Sequence, residues 1–298
     1  MPTPRTFPTS PGDTPLILIT NDDGISSPGL RAAVEAALPL GQILVAGPAQ
    51  QWSGAGRSMP QGPKGDILPY PLEADGQPVT AYQVDASPAL VVLHAVHELV
   101  PRRPDLLISG INFGENLGTD VTISGTVGAA LQGAAIGIPA LAASLQTPKE
   151  THVNPSESID FGAAIHFVRL FAQRMLATPL PFDTDLLKLD VPSDATPETP
   201  WRLTRVSRHR YFVSAAPQRR DFSKPGRIDY DPLIDPESTE PDSDIHALAV
   251  DRVVSIAPMS VDLTSRVNRY EMEALLLGPA TRLSSQMIMS PNRHRSLK

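Results

Sequence analysis

The chain has 298 residues, of which 41% are hydrophobic and 19% charged, so it is long and apolar enough to fold around a sizeable core. The formal net charge of −7 argues against a protein that coats a nucleic-acid polymer or an anionic membrane. Because the chain has no cysteine, disulfides, zinc–thiolate sites and thiol nucleophiles are excluded. Small phosphorylated substrates are compatible with this charge, because local donors and a metal can overcome the global sign.

The first 14 residues are rich in Pro and Thr, which is typical of a disordered tail. They lack the apolar stretch of a secretory signal peptide, and no run in the chain approaches the length that spans a bilayer. We therefore expect a cytoplasmic protein without a membrane partner.

Buried-strand and helix patterns alternate along the middle of the chain. Residues 16–19 are a continuous apolar run, as in a strand covered on both faces, and a helix at 30–38 and a strand at 43–46 complete a βαβ unit. We predict further helices at 89–100, 127–136 and 159–176, and further strands at 105–109, 138–144 and 186–191. This alternation predicts an α/β fold with a doubly wound, mostly parallel sheet.

The alternation breaks down beyond residue 192. Residues 200–245 are rich in Arg, Pro and Asp and contain few apolar runs. After them we predict a strand at 247–258 and a helix at 266–277, and this last third of the chain is the least informative part of the sequence.

Two adjacent carboxylates, Asp22 and Asp23, follow the first predicted strand. Open α/β sheets place their ligands at this carboxyl end of the strands. Two neighbouring like charges are costly unless a cation or hydrogen-bond donors compensate them. The alternative is an ordinary turn, since Asn, Asp and Gly are common turn formers.

Two more loops leave predicted strands at the same edge of the sheet. One carries Ser53 in a Gly-rich segment, and the other carries Asn112. Together with the two aspartates these loops offer only oxygen ligands, which suit Mg²⁺ or Mn²⁺ better than zinc. Taken singly, Ser53 is more often a loop hydroxyl and Asn112 more often a turn residue.

The segment Ser124–Gly125–Thr126 opens a helix of small residues. Its free backbone N–H groups, its hydroxyls and the positive end of the helix dipole favour a phosphate group. An ordinary N-cap is the alternative for Ser124.

A metal beside a phosphate cradle indicates phosphoryl chemistry, in which a metal-activated water is the nucleophile. Either Asp22 or Asp23 could accept the proton of that water. A haloacid-dehalogenase-type aspartyl nucleophile is disfavoured, because that chemistry needs a second Asp two positions on, where this chain has Gly24.

The chain resembles the stationary-phase survival protein SurE family, which are metal-dependent nucleoside monophosphate phosphatases. The matching positions are 19–24, 27–29, 45–48, 51–56, 104–112, Gly114, Asn116, Gly118, Asp120, 124–130, 137–140, 254–258 and 261–264.

The resemblance implies a site and a reaction. One divalent cation per subunit, Mg²⁺ or Mn²⁺, would be held by Asp22, Asp23, Ser53 and Asn112. Asn116 and the Ser124–Gly125–Thr126 turn would surround the substrate phosphate. The implied reaction is hydrolysis of nucleoside 5′- and possibly 3′-monophosphates. The alternatives are hydrolysis of short-chain polyphosphate and a non-catalytic nucleotide-binding sensor.

The resemblance also implies the architecture of the molecule. Residues 15–195 would form a Rossmann-like catalytic core. Residues 196–298 would form an irregular, protruding β-hairpin extension and a C-terminal oligomerisation segment exchanged between subunits, giving a homodimer or homotetramer.

The chain departs from the family pattern at a few positions near the motifs. These are Gly47, Trp52, Ile123 and Asp190. Three aromatic residues are candidates for stacking on a base, namely Trp52, Tyr211 and Phe212. Arg208, His209 and Arg210 could contact phosphate or ribose, although a solvated charge cluster is the simpler interpretation.

Overall fold

The computed structural model describes residues 14–62, 64–152 and 156–277. They fall into two compact units, and the chain passes from the first to the second between Val261 and Asp262. The first unit contains the strands β1 (Leu16–Thr20), β2 (Gln42–Pro48), β3 (Ile67–Pro69), β4 (Leu72–Ala74), β5 (Gln77–Val79), β6 (Ala81–Val84), β7 (Leu106–Phe113), β8 (Ala140–Leu145), β9 (Leu186–Val191), β10 (Trp201–Leu203), β11 (Phe212–Ala215), β12 (Asp229–Pro232) and β13 (Val254–Met259). Its helices are α1 (Pro28–Ala37), α2 (Pro88–His94), α3 (Gly125–Ala135) and α4 (Gly162–Ala177), and the second unit contains α5 (Arg269–Leu277).

The main sheet has nine strands in the order β10-β13-β9-β8-β7-β1-β2-β6-β3. Six of its eight strand pairs are parallel, and only β13–β9 and β3–β6 are antiparallel. The predicted α/β fold with a mostly parallel sheet is confirmed.

Helices cover both faces of this sheet, and the sequence of β1 shows why. Every residue of β1 is buried. Because successive side chains of a strand point to opposite faces, Ile17 and Ile19 join the core that packs under α1 and α4, whereas Leu18 joins the core under α2 and α3. A strand that is apolar on both faces needs a layer of helices on each side.

The sheet continues past the core boundary that we expected at residue 195. Strands β10 and β13 both come from later in the chain and extend the sheet beyond β9. The first compact unit accordingly runs to Val261.

The strand predicted at 247–258 begins only at Val254. The preceding residues His246–Val250, which include the apolar run 247–250, form one wide helical turn instead. Ala247 and Leu248 are fully buried there, and Leu248 packs in a small core with Leu117 and Tyr211. Burial in a helical turn and burial in a strand leave the same apolar run in the sequence.

The expected β-hairpin is formed by β11 and β12, which pair antiparallel from Phe212↔Pro232 to Ala215↔Asp229. Its start is held by Asp120 Oδ2, which accepts hydrogen bonds from the backbone N–H groups of Tyr211 (3.2 Å) and Phe212 (2.8 Å).

The helix predicted at 266–277 is present as Arg269–Leu277 in the second unit. The tail predicted at 1–14 lies outside the described residues except for Thr14. Among the described residues no helix is both long enough and apolar enough to cross a membrane.

Candidate metal and phosphate site

The carboxyl ends of β1 and β7 bring Asp22, Asp23 and Asn112 to one edge of the sheet. The two strands are parallel neighbours, with Thr20 opposite Ser109. Both aspartates are buried, with 4% and 7% of their surface exposed. Between Ser109 and Asn112 the pairing of β7 with β8 shifts register, and such irregularities re-aim side chains at the ends of strands.

The first turn of α3 holds the Asp22 carboxylate. The hydroxyl and the backbone N–H of Thr126 both donate hydrogen bonds to it. Gly125 makes the close approach possible, because a Cβ atom at this position would lie 2.7 Å from Asp22 Oδ2. The positive end of the helix therefore stabilises a carboxylate of the protein itself.

Asp23 is held from the opposite side. Its Oδ2 accepts a hydrogen bond from the Phe113 N–H (3.1 Å), and its Oδ1 accepts one from Gln51 Nε2 (3.2 Å). The amide nitrogen of Asn112 donates to the carbonyl oxygens of Phe113 (3.3 Å) and Gly114 (2.7 Å). The side-chain oxygen of Asn112 is thereby left as an acceptor.

The loop that carries Ser53 is fastened at both ends to the other parts of the site. The Trp52 N–H donates to the Asp22 carbonyl (2.8 Å), and the Gly56 N–H donates to the Ile123 carbonyl (2.8 Å). Helix α3 packs so closely on this loop that a Cβ atom at Gly128 would overlap the Gly56 carbonyl oxygen. Ser53 is exposed between the two attachment points.

The electrostatics of the aspartate pair favour a cation. Burial raises the pKa of Asp22, and burial together with the Asp22 charge raises the pKa of Asp23. The described residues contain no group of three or more His, Cys, Asp or Glu side chains that could hold a metal. A cation here would depend on two carboxylates completed by the neutral oxygens of Ser53 and Asn112, a donor set that fits a hard divalent ion.

Five of the predicted site residues line one cavity of about 500 Å³. They are Asp22, Ser53, Asn112, Asn116 and Ser124. Asp23, Gly125 and Thr126 lie behind this surface. The Thr126 hydroxyl, predicted to contact phosphate, is fully buried and bonded to Asp22 instead.

Ser124 is the N-cap of α3, because its Oγ accepts a hydrogen bond from the Val127 N–H (3.1 Å). Its own hydroxyl proton is still available to a ligand in the cavity. Asn116 Nδ2 donates to Ser144 Oγ (2.8 Å) and has a second N–H. Both residues can therefore offer a donor to an anion in the cavity.

A fully buried ionic cluster supports the loop that carries Asn116. Lys188 pairs with Asp190 and, at 3.1 Å, with Asp244. Asp190 Oδ1 accepts a hydrogen bond from the Asn116 N–H (2.8 Å), and Asp244 Oδ2 accepts one from the Gly118 N–H (3.1 Å). The cluster thus fixes two backbone groups of this loop.

Of the candidate base- and phosphate-contacting residues, Phe212 and Arg210 line the cavity. Tyr211 is 1% exposed and is hydrogen-bonded to Glu115, so it belongs to the core. Trp52, Arg208 and His209 are not part of the cavity wall.

Sequence reasoning missed His152 and Tyr230, which line the cavity, and Gln51, which bonds to Asp23. His152 and Tyr230 stand alone in polar segments without motif or periodicity, so no signal marked them. Gln51 lies in the matching segment 51–56 that carries Ser53, but it was given no role in the site.

Known proteins resemble this chain over most of its length. A sequence model of the family described as "Survival protein SurE" matches residues 17–213. The chain is 38% identical to the 5′-nucleotidase SurE of Thermococcus gammatolerans, over 88% of this chain and 96% of that protein. It is 37% identical to the 5′-nucleotidase SurE of Methanosarcina acetivorans, over 88% of this chain and 98% of that protein.

The fold is similar to that of the SurE protein from Aquifex aeolicus, with a TM-score of 0.69 and 28% sequence identity, covering 90% of this chain and 99% of that one. With most of its length matched in sequence and in structure, the chain belongs to the SurE family.

Proposed function

We propose that this protein is a divalent-metal-dependent phosphatase that hydrolyses nucleoside 5′-monophosphates to nucleoside and phosphate, and that it also accepts 3′-monophosphates. One observation carries the proposal: of two adjacent buried carboxylates, Asp22 lines a cavity that is also lined by the oxygen-bearing side chains of Ser53 and Asn112 and by the hydrogen-bond donors of Ser124 and Asn116, and Asp23 lies directly behind it. Relatives named 5′-nucleotidase support the same reaction.

Asp22, Asp23, Ser53 and Asn112 would hold the cation, for which we propose Mg²⁺ or Mn²⁺. When bound, the cation supplies charge that activates water and stabilises the phosphoryl oxygens. Asp22 lines the cavity, whereas Asp23 lies behind the cavity surface with both of its oxygens hydrogen-bonded to the protein. We therefore assign acceptance of the water proton to Asp22.

Ser124 and Asn116 would bind the phosphoryl oxygens through the Ser124 hydroxyl and the free N–H of the Asn116 side chain. Thr126 and Gly125 would not contact the phosphate themselves; they orient Asp22. We further propose that the protein works in the cytoplasm as a homodimer or homotetramer, with the segment after residue 195 contributing to assembly.

The test is phosphate release from a panel of nucleoside 5′- and 3′-monophosphates and short polyphosphate, with Mg²⁺ or Mn²⁺ and with chelator. We expect hydrolysis of the monophosphates that chelator abolishes. Asp22→Asn and Asp23→Asn should each lower turnover by about 100-fold or more while the fold is retained. Near-normal turnover by both variants at saturating Mn²⁺, or release from polyphosphate alone, would contradict the proposal.

A further inference from the structure

The cavity at the candidate site extends beyond the residues assigned to metal and phosphate. Its far side is lined by the β11–β12 hairpin through Phe212, Ser214, Ile228 and Tyr230. The proposed function accounts for the phosphate end of a nucleotide and leaves this second half of the cavity without a role.

Three aromatic rings form a continuous wall on this side, consisting of His152, Phe212 and Tyr230. His152 and Tyr230 are stacked, with ring centroids 6.2 Å apart and an interplanar angle of 12°. Phe212 meets Tyr230 edge to face at 5.1 Å and His152 at 6.1 Å. We call these three residues the aromatic wall.

The hairpin is fixed against the body of the protein at this wall. Lys149 Nζ pairs with Asp229 (2.9 Å) and Asp231 (3.0 Å), on either side of Tyr230. Tyr230 also shares a hydrogen bond with His152 Nδ1 (3.0 Å). The wall therefore joins two segments that are far apart in the sequence.

The aromatic wall lies next to the candidate metal ligands. Gln51 Nε2 donates both to Asp23 Oδ1 (3.2 Å) and to the His152 carbonyl (2.6 Å). Gly114, whose carbonyl accepts a hydrogen bond from Asn112, packs so tightly against His152 that a Cβ atom there would lie 2.6 Å from Nε2. The metal site and the aromatic wall are therefore close enough for a single small molecule to contact both.

Both ring nitrogens of His152 are already engaged. Nε2 lies 3.2 Å from the Thr147 carbonyl, which can only accept, so Nε2 carries a proton and Nδ1 accepts from the Tyr230 hydroxyl. Burial lowers the pKa of His152 and favours this neutral form. The imidazole therefore serves as a flat surface and has no nitrogen left for a reacting group.

We propose that the aromatic wall of His152, Phe212 and Tyr230 is the subsite that stacks on the nucleobase of the substrate. This inference rests on the proposed function and extends it to the nucleoside half of the molecule. Stacking on aromatic side chains tolerates any base, because every base has a π-face. The wall therefore selects nucleotides over other phosphate monoesters without selecting one base.

The test compares nucleoside 5′-monophosphates with ribose 5-phosphate, which has the same sugar and ester and lacks the base. In Tyr230→Ala and Phe212→Ala, kcat/KM should fall by roughly tenfold for the nucleotides and remain near the wild-type value for ribose 5-phosphate. Tyr230→Phe, which keeps the ring, should retain the preference for nucleotides.

The matched control is Phe222→Ala. Phe222 lies in the connection of the same hairpin, is 88% exposed and does not line the cavity. We expect no change for either substrate in this variant.

Equal losses for both substrates, or no loss for nucleotides in Tyr230→Ala, would overturn the inference. Failure of the wild type to hydrolyse any monophosphate would refute the proposed function instead. Binding of adenosine, measured by calorimetry, tests the wall without hydrolysis: weaker binding to folded Tyr230→Ala supports it, and unchanged binding overturns it.

Discussion

Asp22 is oriented by Thr126, whose hydroxyl and backbone N–H both donate hydrogen bonds to its carboxylate. The Thr126 side chain donates to Asp22 Oδ1 from a fully buried position. Loss of a group that orients a metal ligand in this way typically lowers metal affinity or activity by about 10- to 100-fold. In the Ser124–Gly125–Thr126 segment, Thr126 thus acts by orienting Asp22, whereas Ser124 is the residue that lines the cavity.

Replacing Thr126 by Val keeps the shape of the side chain and removes this hydrogen bond. We expect Thr126→Val to weaken Mg²⁺ binding by about 10- to 100-fold, measured from the Mg²⁺ dependence of phosphate release. Thr122→Val is the control, because the exposed Thr122 hydroxyl bonds only to the Thr119 carbonyl of its own turn (2.9 Å). Equal Mg²⁺ dependence in both variants would show that Thr126 does not position Asp22.

The site residues that the sequence indicated share one property: each follows a predicted strand or opens a predicted helix. Asp22, Ser53, Asn112 and Ser124 could be grouped because the ends of parallel strands meet at one edge. His152 and Tyr230 could not be grouped in this way. Their meeting depends on how a turn and a hairpin pack together, and no local pattern encodes that packing.

At the scale of the elements, the slim helix α3 sets the width of the site. It approaches the Ser53 loop at Gly128 and approaches Asp22 at Gly125, so both contacts use missing side chains. Its Gly- and Ala-rich sequence makes such close approaches possible. The apolar run at 247–250 was misleading because a buried helical turn and a buried strand look alike over a few residues.

We expect Gly128→Ala to be harmful, although Ala is normally preferred to Gly inside a helix by roughly 0.5–1 kcal/mol. The added Cβ would overlap the Gly56 carbonyl and push the Ser53 loop away. The melting temperature and the Mg²⁺ affinity should therefore both fall.

Gly162→Ala, at the start of α4, is the control for helix preference. Its Cβ would lie 3.1 Å from Oδ1 of the exposed Asp160, which accepts a hydrogen bond from the Gly162 N–H (2.8 Å), so a small shift that keeps this bond relieves the contact. If Gly128→Ala raised the melting temperature and left Mg²⁺ affinity unchanged, the close packing of α3 on the loop would not matter for the site.

At the scale of the whole molecule, the parallel strands β1, β2, β7, β8 and β9 could be predicted because they are long and apolar and are separated by helices. The far edge could not be predicted. Strand β10 has three residues, of which Trp201 and Leu203 are exposed, and β13 pairs antiparallel with β9. Such a strand has too little local pattern, and its position is decided by contacts that are distant in sequence.

The Lys188–Asp190–Asp244 cluster lies where this edge meets the core and makes the stability of the molecule depend on pH. Burial raises the pKa of Asp190 to about 6, although the Lys188 charge opposes the shift. The folded protein then holds this proton more tightly than the unfolded chain, whose Asp pKa is about 4. Protonated Asp190 therefore adds roughly 3 kcal/mol to the free energy of unfolding below about pH 4. This contribution is lost as the pH rises through about 6.

Asp190→Asn should remove this contribution. We expect the free energy of unfolding of the variant, relative to wild type, to improve by roughly 3 kcal/mol between about pH 4 and about pH 7, measured by urea unfolding in chelator. Groups that do not interact with Asp190 act equally in both proteins, so the difference reports on Asp190 together with its cluster partners Lys188 and Asp244. Glu73→Gln, exposed on β4, controls for the loss of one negative charge. A constant difference across this range would mean that Asp190 is ionised in the fold as readily as in the unfolded chain, with Lys188 offsetting its burial completely.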